Sequence, residues 1–144
     1  MRATISLNPR QLALAVSSVA LGGAAGTLAR DLALKLQPVA SGTSWVAYVP
    51  WVLLGLNAAG VYVATWLLRG RLHHHDPNDP TRLLLVTGLL GGFTSFSSLF
   101  ADVAVVWHHS AGGGLLVVVG AVASGVAAAE LGLRHGRWHH RVRL

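Results

Sequence analysis

Four long stretches of the chain contain no Asp, Glu, Lys or Arg, and they constrain the fold more than any other feature. They cover residues 11–29, 36–68, 83–101 and 103–129. An α-helix needs about 20 apolar residues to cross roughly 30 Å of hydrocarbon. Only 11% of the 144 residues are charged, whereas soluble domains carry about 25%. The sequence therefore predicts an all-α integral membrane protein and excludes a water-soluble or disordered chain.

We expect one membrane domain, covering residues 1–144, with a break in the third of its four transmembrane helices. The helices are predicted at residues 12–34, 46–68, 83–106 and 112–133. A hydrophilic linker at 70–80 contains two Asp-Pro pairs, which disfavour helix. Residues 134–144 are predicted to form a basic tail.

The basic residues are distributed unequally between the two sides of the membrane. Four crossings place both termini and the 70–80 linker on one side, and the opposite side carries only Arg30 and Lys35. Because cytoplasmic segments are enriched in Lys and Arg, the bias predicts a multi-pass protein of the cell membrane with cytoplasmic N and C termini. The nine basic residues of that side are Arg2, Arg10, Arg69, Arg71, Arg82, Arg134, Arg137, Arg141 and Arg143.

The third span is unusual because residues 88–98 (GLLGGFTSFSS) combine three glycines with four hydroxyl side chains. Such a run disfavours a continuous helix. A helix break at membrane depth is tolerated only where protein buries it or where it lines a cavity, and it frees backbone groups that can bind ions. The alternative is a helix that uses its small residues for close packing.

Three motifs together resemble the CrcB/Fluc family of fluoride-specific ion channels, over essentially the whole chain. The first helix contains GGAAGTLAR (22–30), the second GLNAAG (55–60) and the third TGLLGGFTSFSSLFAD (87–102). The third motif is the most specific. The resemblance implies passive fluoride export through two narrow pathways, formed by an antiparallel dimer of the dual-topology type.

The resemblance also implies roles for individual residues. Asn57 would donate hydrogen bonds to fluoride and Phe96 would present its ring edge, with Ser97, Ser98 and Ser124 as further hydroxyl groups of the fluoride pathway. A structural sodium ion, which is not transported, would be held by the backbone carbonyls of Gly91 and Thr94. Arg30 and Asp102 match structural polar positions of the family.

Fluoride chemistry agrees with this set of residues. The ion is small and strongly hydrated, so a pathway must replace its water with amide hydrogens, hydroxyls or the positive edges of aromatic rings. A Lys or Arg in the pathway would hold the anion too tightly, since conduction requires binding weak enough for release.

Two departures from the family pattern bear on the assembly. Leu99 stands where the family has a second Phe, and Leu53 stands where it often has Thr. Antiparallel homodimers require insertion in both orientations, yet the basic residues favour one. The chain is therefore expected to form either a homodimer or a heterodimer with an oppositely oriented, related subunit. In the second case it could be a pore-degenerate companion.

Other functions have less support from the sequence. His73, His74 and His75 are consecutive and so do not share one face for a metal, and His108 with His109 is expected to cap the third helix rather than to sense pH. No catalytic triad, phosphate loop or pair of intramembrane carboxylates is present, which argues against an enzyme and a proton-coupled exporter. The basic segments are too short and scattered for nucleic acid, but they suit contact with membrane lipid.

Overall fold

The computed structural model describes residues 8–73 and 75–141, with no β-strand in these ranges. Within them, four helical segments are long and apolar enough to cross a membrane: Pro9–Leu34, Trp51–Arg69, Pro80–His109 and Ala111–Arg137. The expectation of an all-α, multi-pass membrane protein is thereby confirmed.

Helix α1 (Pro9–Leu34) begins before residue 12 because its first turn is capped. The Arg10 N–H donates to Asn8 Oδ1 at 3.3 Å, and the Asn8 N–H donates to Gln11 Oε1 at 3.2 Å. Pro9 occupies a first-turn position where its missing N–H costs no helical hydrogen bond. The side chains of Asn8 and Gln11 thus accept from backbone N–H groups that the start of a helix otherwise leaves unpaired.

Helix α2 spans Trp51–Arg69. The sequence analysis predicted a start at residue 46, so the helix begins five residues later than expected. The residues Trp45–Tyr48 form a separate 3₁₀ turn, because Pro50 could not donate the hydrogen bond of a continuous helix. Gln37 caps α2 from a distance. Its Oε1 accepts from the Val52 N–H at 2.9 Å, and its Nε2 donates to the Val49 carbonyl at 3.0 Å.

The third span, Pro80–His109, is a composite rather than one regular helix. It consists of α3 (Pro80–Arg82), a π-helical segment (Leu83–Leu90), α4 (Gly91–Phe93) and α5 (Phe96–His109).

Asp79 caps the start of this span by accepting hydrogen bonds from the N–H groups of Thr81 at 2.8 Å and Arg82 at 3.2 Å. Desolvation would raise the pKa of Asp79, but these hydrogen bonds and nearby His75 hold it below its usual value. The span consequently begins at Pro80, three residues before the predicted start at 83.

Helix α6 continues through Ala111–Arg141, so the prediction that the helix ends at 133 and gives way to a tail from 134 is wrong. The reason is packing against the end of α2. A Cβ atom built on Gly136 would lie 2.9 Å from Arg69 Cβ, which shows how closely the two helices approach. The Glu130–Arg134 pair, 2.8 Å apart, adds an i,i+4 contact. Residues 142–144 of the predicted tail lie outside the described residues.

Helix α1 packs backbone to backbone against the first half of the third span. A Cβ on Gly88 would lie 2.8 Å from the Val19 carbonyl oxygen and 2.9 Å from Gly22 Cα. A Cβ on Gly92 would overlap the Gly23 backbone. Because apolar burial does not drive association within lipid, such close contacts between small residues hold membrane helices together.

A buried apolar cluster joins α2, α5 and α6 near one end of the bundle. Many large apolar side chains outside the cluster are exposed, such as Leu21 at 67% and Val126 at 65%, as expected for surfaces that contact lipid or another subunit. The buried members of the cluster are Val49, Leu53, Leu99, Val103, Val106 and Val117.

Substitution of Gly22 by Ala is expected to destabilise the fold by about 1–3 kcal/mol, the usual cost of overpacking. The added methyl would overlap the Leu84 carbonyl oxygen and lie 2.8 Å from the Leu89 nitrogen. The midpoint of thermal unfolding in detergent measures the effect. Gly23→Ala is the matched control, because a Cβ there meets no atom within 4 Å. Equal midpoints for the two variants would contradict the proposed close packing.

Candidate functional site

The backbone of the third span is extended at two residues between α4 and α5. Thr94 has φ −88° and ψ 144°, and Ser95 has φ −147° and ψ 107°. Both lie in the segment that the sequence marked by its glycines and hydroxyls. The Thr94 N–H still donates to the Leu90 carbonyl at 3.0 Å and the Ser95 carbonyl still accepts from the Leu99 N–H at 3.4 Å, but the Ser95 N–H has no helical acceptor and needs another partner.

Asn57 of α2 bonds to both peptide groups of Ser95. Its Nδ2 donates to the Ser95 carbonyl at 3.3 Å, and its Oδ1 accepts from the Ser95 N–H at 2.9 Å. Asn57 is 8% exposed and is the one buried polar side chain among the described residues. A primary amide carries two donor hydrogens, so one Nδ2 hydrogen remains for another acceptor.

Ser95 also gathers two hydroxyl groups at the start of α5. Its Oγ accepts from the Ser98 N–H at 3.2 Å, which makes Ser95 the N-cap. The same Oγ lies 2.8 Å from Ser98 Oγ and 3.3 Å from Ser97 Oγ. The structure therefore brings together three of the predicted pathway residues, Asn57, Ser97 and Ser98. They surround Ser95, which was not among the predicted site residues.

The two carbonyls predicted to hold sodium have both lost their helical donors. In a continuous helix the Gly91 carbonyl would accept from the Ser95 N–H, and the Thr94 carbonyl from the Ser98 N–H. Those N–H groups donate instead to Asn57 Oδ1 and Ser95 Oγ. Backbone carbonyl oxygens released in this way are suitable ligands for a hard cation. The residues present thus fit the predicted ion.

The aromatic and aliphatic residues of α5 separate onto different surfaces. Phe96 is 60% exposed and Phe100, one turn later, is 59% exposed. Leu99 is only 3% exposed and belongs to the same buried cluster as Leu53. The two departures from the family pattern therefore share one apolar environment.

The remaining predicted residues lie apart from this cluster. Ser124 donates to the Ala121 carbonyl of its own helix at 3.0 Å. Arg30 pairs with Asp31 at 3.4 Å, and Asp102, half-buried on α5, has no hydrogen bond or ion pair within the described residues. The structure of the single chain does not connect Ser124, Arg30 or Asp102 with Asn57.

Replacing Asn57 by Leu is expected to lower the free energy of unfolding by about 1–3 kcal/mol, because the Ser95 N–H loses its partner and the Ser95 carbonyl keeps the longer hydrogen bond from the Leu99 N–H, at 3.4 Å. Thermal unfolding in detergent checks this. Thr65→Val on the same helix is the control, since within residues 8–73 and 75–141 the Thr65 hydroxyl bonds only to carbonyls of α2 itself. If the Asn57→Leu variant were as stable as the control, Asn57 would not support the extended segment.

Comparison with known proteins identifies the family. Residues 17–133 match the family described as CrcB-like protein, Camphor Resistance (CrcB). A protein of Chelativorans sp. (strain BNC1) named Fluoride-specific ion channel FluC is 37% identical over 116 residues, covering 80% of this chain and 90% of that protein. Its namesake in Thermus thermophilus is 37% identical over 119 residues, covering 82% of this chain and 91% of that protein.

A third relative, Fluoride-specific ion channel FluC 2 of Leifsonia xyli subsp. xyli, is 33% identical over 123 residues, covering 82% of this chain and 80% of that protein. No solved structure matches the chain significantly. The relatives' names describe ion channels rather than enzymes, in agreement with the lack of catalytic motifs in the sequence. The extent of these matches shows that the chain belongs to the CrcB-like family.

Proposed function

We propose that this chain is a subunit of a fluoride-specific ion channel, which passively exports fluoride across the cell membrane and so lowers fluoride in the cytoplasm. The observation that carries the proposal is the grouping of Asn57, Ser97 and Ser98 around the extended Ser95 inside the third span. The names of the relatives support the choice of fluoride as the ion.

The site offers neutral hydrogen-bond donors to an anion. Asn57 keeps one Nδ2 hydrogen after pairing with Ser95, and the first turn of α5 points the positive end of its dipole toward the same place. Phe96, which is largely exposed, would present the positive edge of its ring. Neutral donors replace water around fluoride without holding it too tightly for conduction. Ser124 would add a hydroxyl farther along the pathway.

A structural sodium ion would be held by the backbone carbonyls of Gly91 and Thr94. The proposal rests on the loss of the helical donors of both carbonyls. When bound, sodium supplies a positive field near the pathway without any Lys or Arg side chain in it. The polar residues Arg30 and Asp102 would have structural roles.

The assembly would be an antiparallel dimer. Gly91 and Phe96 are exposed in the single chain, so they are open to contact with a second subunit. The excess of arginine on one side of the membrane would place the N and C termini of this chain in the cytoplasm. The partner is then either a copy inserted the opposite way or a related subunit of opposite bias.

A second candidate function is that of a pore-degenerate companion in a heterodimeric fluoride channel. Leu53 and Leu99 support it, because both are buried in an apolar cluster at positions where the family pattern has hydroxyl and aromatic groups. A pathway next to that cluster would lack donors from this subunit. The partner would then have to supply them.

The proposal predicts fluoride release from liposomes that contain only this purified chain, measured with an ion-selective electrode. Rapid fluoride efflux with little chloride efflux is the expected result. The fraction of folded protein is measured in parallel by circular dichroism. If the folded chain releases no fluoride alone but does so with an oppositely biased related subunit, it is a companion. If the folded chain releases no fluoride either alone or with the related subunit, both the channel and the companion function are rejected.

Asn57→Asp is expected to reduce fluoride flux at least about a hundredfold. Two like charges about 4 Å apart near a protein surface repel by about 4 kcal/mol, which exceeds the roughly 2.8 kcal/mol that corresponds to this factor. Asn78→Asp, in the exposed linker, adds the same charge outside the spans and should conduct normally. Unchanged flux through the Asn57→Asp variant would refute the role assigned to Asn57.

A further inference from the structure

The last turns of the α2 and α6 spans lie side by side, with their backbones close together. A Cβ built on Gly136 would lie 2.9 Å from Arg69 Cβ, and a Cβ on Gly132, one turn earlier, would overlap the hydroxyl of Thr65. The two membrane-spanning segments end at matching positions, at Arg69 in α2 and at Arg137 in α6. The two helices therefore leave the membrane together, with an arginine at the end of each span.

These two arginines begin close enough to share one ligand. Consecutive Cα atoms are about 3.8 Å apart, so the Cα of Arg137 lies within about 8 Å of Arg69 Cβ, across the intervening Gly136. Both arginines are exposed, and their long side chains can turn toward a common point. Two positive charges at neighbouring positions repel each other, and the low dielectric of the adjacent bilayer strengthens that repulsion.

No carboxylate compensates either charge within the part of the chain that the structure describes. The two ion pairs found there include neither Arg69 nor Arg137. Arg69 Nη1 donates to His73 Nε2, and Arg137 Nε donates to the Leu133 carbonyl, both at 3.4 Å. Charge-assisted hydrogen bonds are usually about 2.7–2.9 Å long. The two guanidinium groups thus have long hydrogen bonds to neutral acceptors, and both positive charges remain.

We propose that Arg69 and Arg137 together bind the phosphate group of one anionic phospholipid. The planar guanidinium group matches phosphate with two parallel hydrogen bonds. The ends of membrane spans lie near the polar headgroups, where anionic lipids attract basic residues. A zwitterionic lipid carries its own ammonium group, so it would leave the combined charge of the two arginines uncompensated.

The surface of α6 below Arg137 suits the acyl chains of such a lipid. Val119 and Val126 lie 18 and 11 residues before Arg137, which places all three on nearly the same side of the helix. Both valines are largely exposed. Glu130, on the same side, does not compete for Arg137 because it is paired with Arg134 at 2.8 Å.

A lipid phosphate in this position would connect the ends of α2 and α6 and stabilise their contact. It would act where no side chain can, because the backbones around Gly132 and Gly136 leave no room for one. The proposal goes beyond the proposed function, since the bound molecule is a lipid of the membrane and not the transported ion. Its test requires no measurement of fluoride.

The test measures thermal unfolding of the purified chain in a neutral detergent as the mole fraction of phosphatidylglycerol in the micelles is raised. A molecule that binds the folded state raises the unfolding midpoint. Phosphatidylcholine, which has a phosphate but no net charge, and inorganic phosphate are titrated separately. We expect phosphatidylglycerol to raise the midpoint and the other two to leave it nearly unchanged.

The variant that combines Arg69→Gln with Arg137→Gln removes both guanidinium groups and keeps polar side chains. The lipid fraction that gives half of the maximal rise should increase at least about tenfold, the factor for one hydrogen bond to a charged group. Arg10→Gln combined with Arg71→Gln is the matched control, because it removes two exposed arginines from the same side of the membrane. The control should keep the wild-type value.

The single variants Arg69→Gln and Arg137→Gln are measured alongside, and each should require a higher lipid fraction than the wild type. They keep the comparison intact if the double variant does not fold.

Several results would overturn the proposal. They are an unchanged midpoint with phosphatidylglycerol, an equal rise with phosphatidylcholine, or a wild-type response in the double variant and in both single variants. An equal rise with inorganic phosphate would identify a site for soluble anions instead of a lipid. An equal loss of response in the control would reduce the effect to total charge. None of these outcomes depends on whether the chain conducts fluoride.

Discussion

A peptide chain inside hydrocarbon has no water to bond with, so each N–H and carbonyl that leaves a helix needs a partner from the protein. The third span meets this demand at Ser95, where both peptide groups pair with the side chain of Asn57. The arrangement requires α2 to lie at the right height beside the third span. Gly60 permits this, because any side chain there would overlap the methyl group of Thr94. The extended segment therefore depends on one amide and one glycine of α2.

The same interaction creates groups of opposite polarity within a short distance along the chain. On one side, the N–H groups at the start of α5 and the hydroxyls of Ser97 and Ser98 are hydrogen-bond donors. On the other, the carbonyls of Gly91 and Thr94 have lost their helical donors. Anion and cation sites can then lie close together without any charged side chain. This is the physical basis for proposing fluoride and sodium at one break in one helix.

Sequence reasoning predicted Asn57, Ser97 and Ser98 as pathway residues, and the structure brings these three together around Ser95. It also predicted a break in the third span, where the structure has extended backbone at Thr94 and Ser95. It assigned Asn57 only to the anion, whereas the structure adds a pairing with the Ser95 backbone. Ser95 was not among the predicted site residues. A serine at the N-cap, whose hydroxyl accepts from the N–H three residues later, is nevertheless a recognisable pattern at a helix start. Leu53 and Leu99 were seen as separate departures from the family pattern. Their common burial could not be read from positions so far apart in the chain.

The sequence by itself determined the number of spans, their apolar character, the unequal distribution of arginine and the family. These properties follow from the composition of each segment and from the order of its residues, and they do not depend on contacts between segments. Only the tertiary structure decided that α2 begins at Trp51 under the Gln37 cap, that α6 continues to Arg141, and that Asn57 pairs with a residue 38 positions away. Each of these depends on contacts between distant residues, because a backbone group is released or satisfied according to which neighbour the fold brings to it.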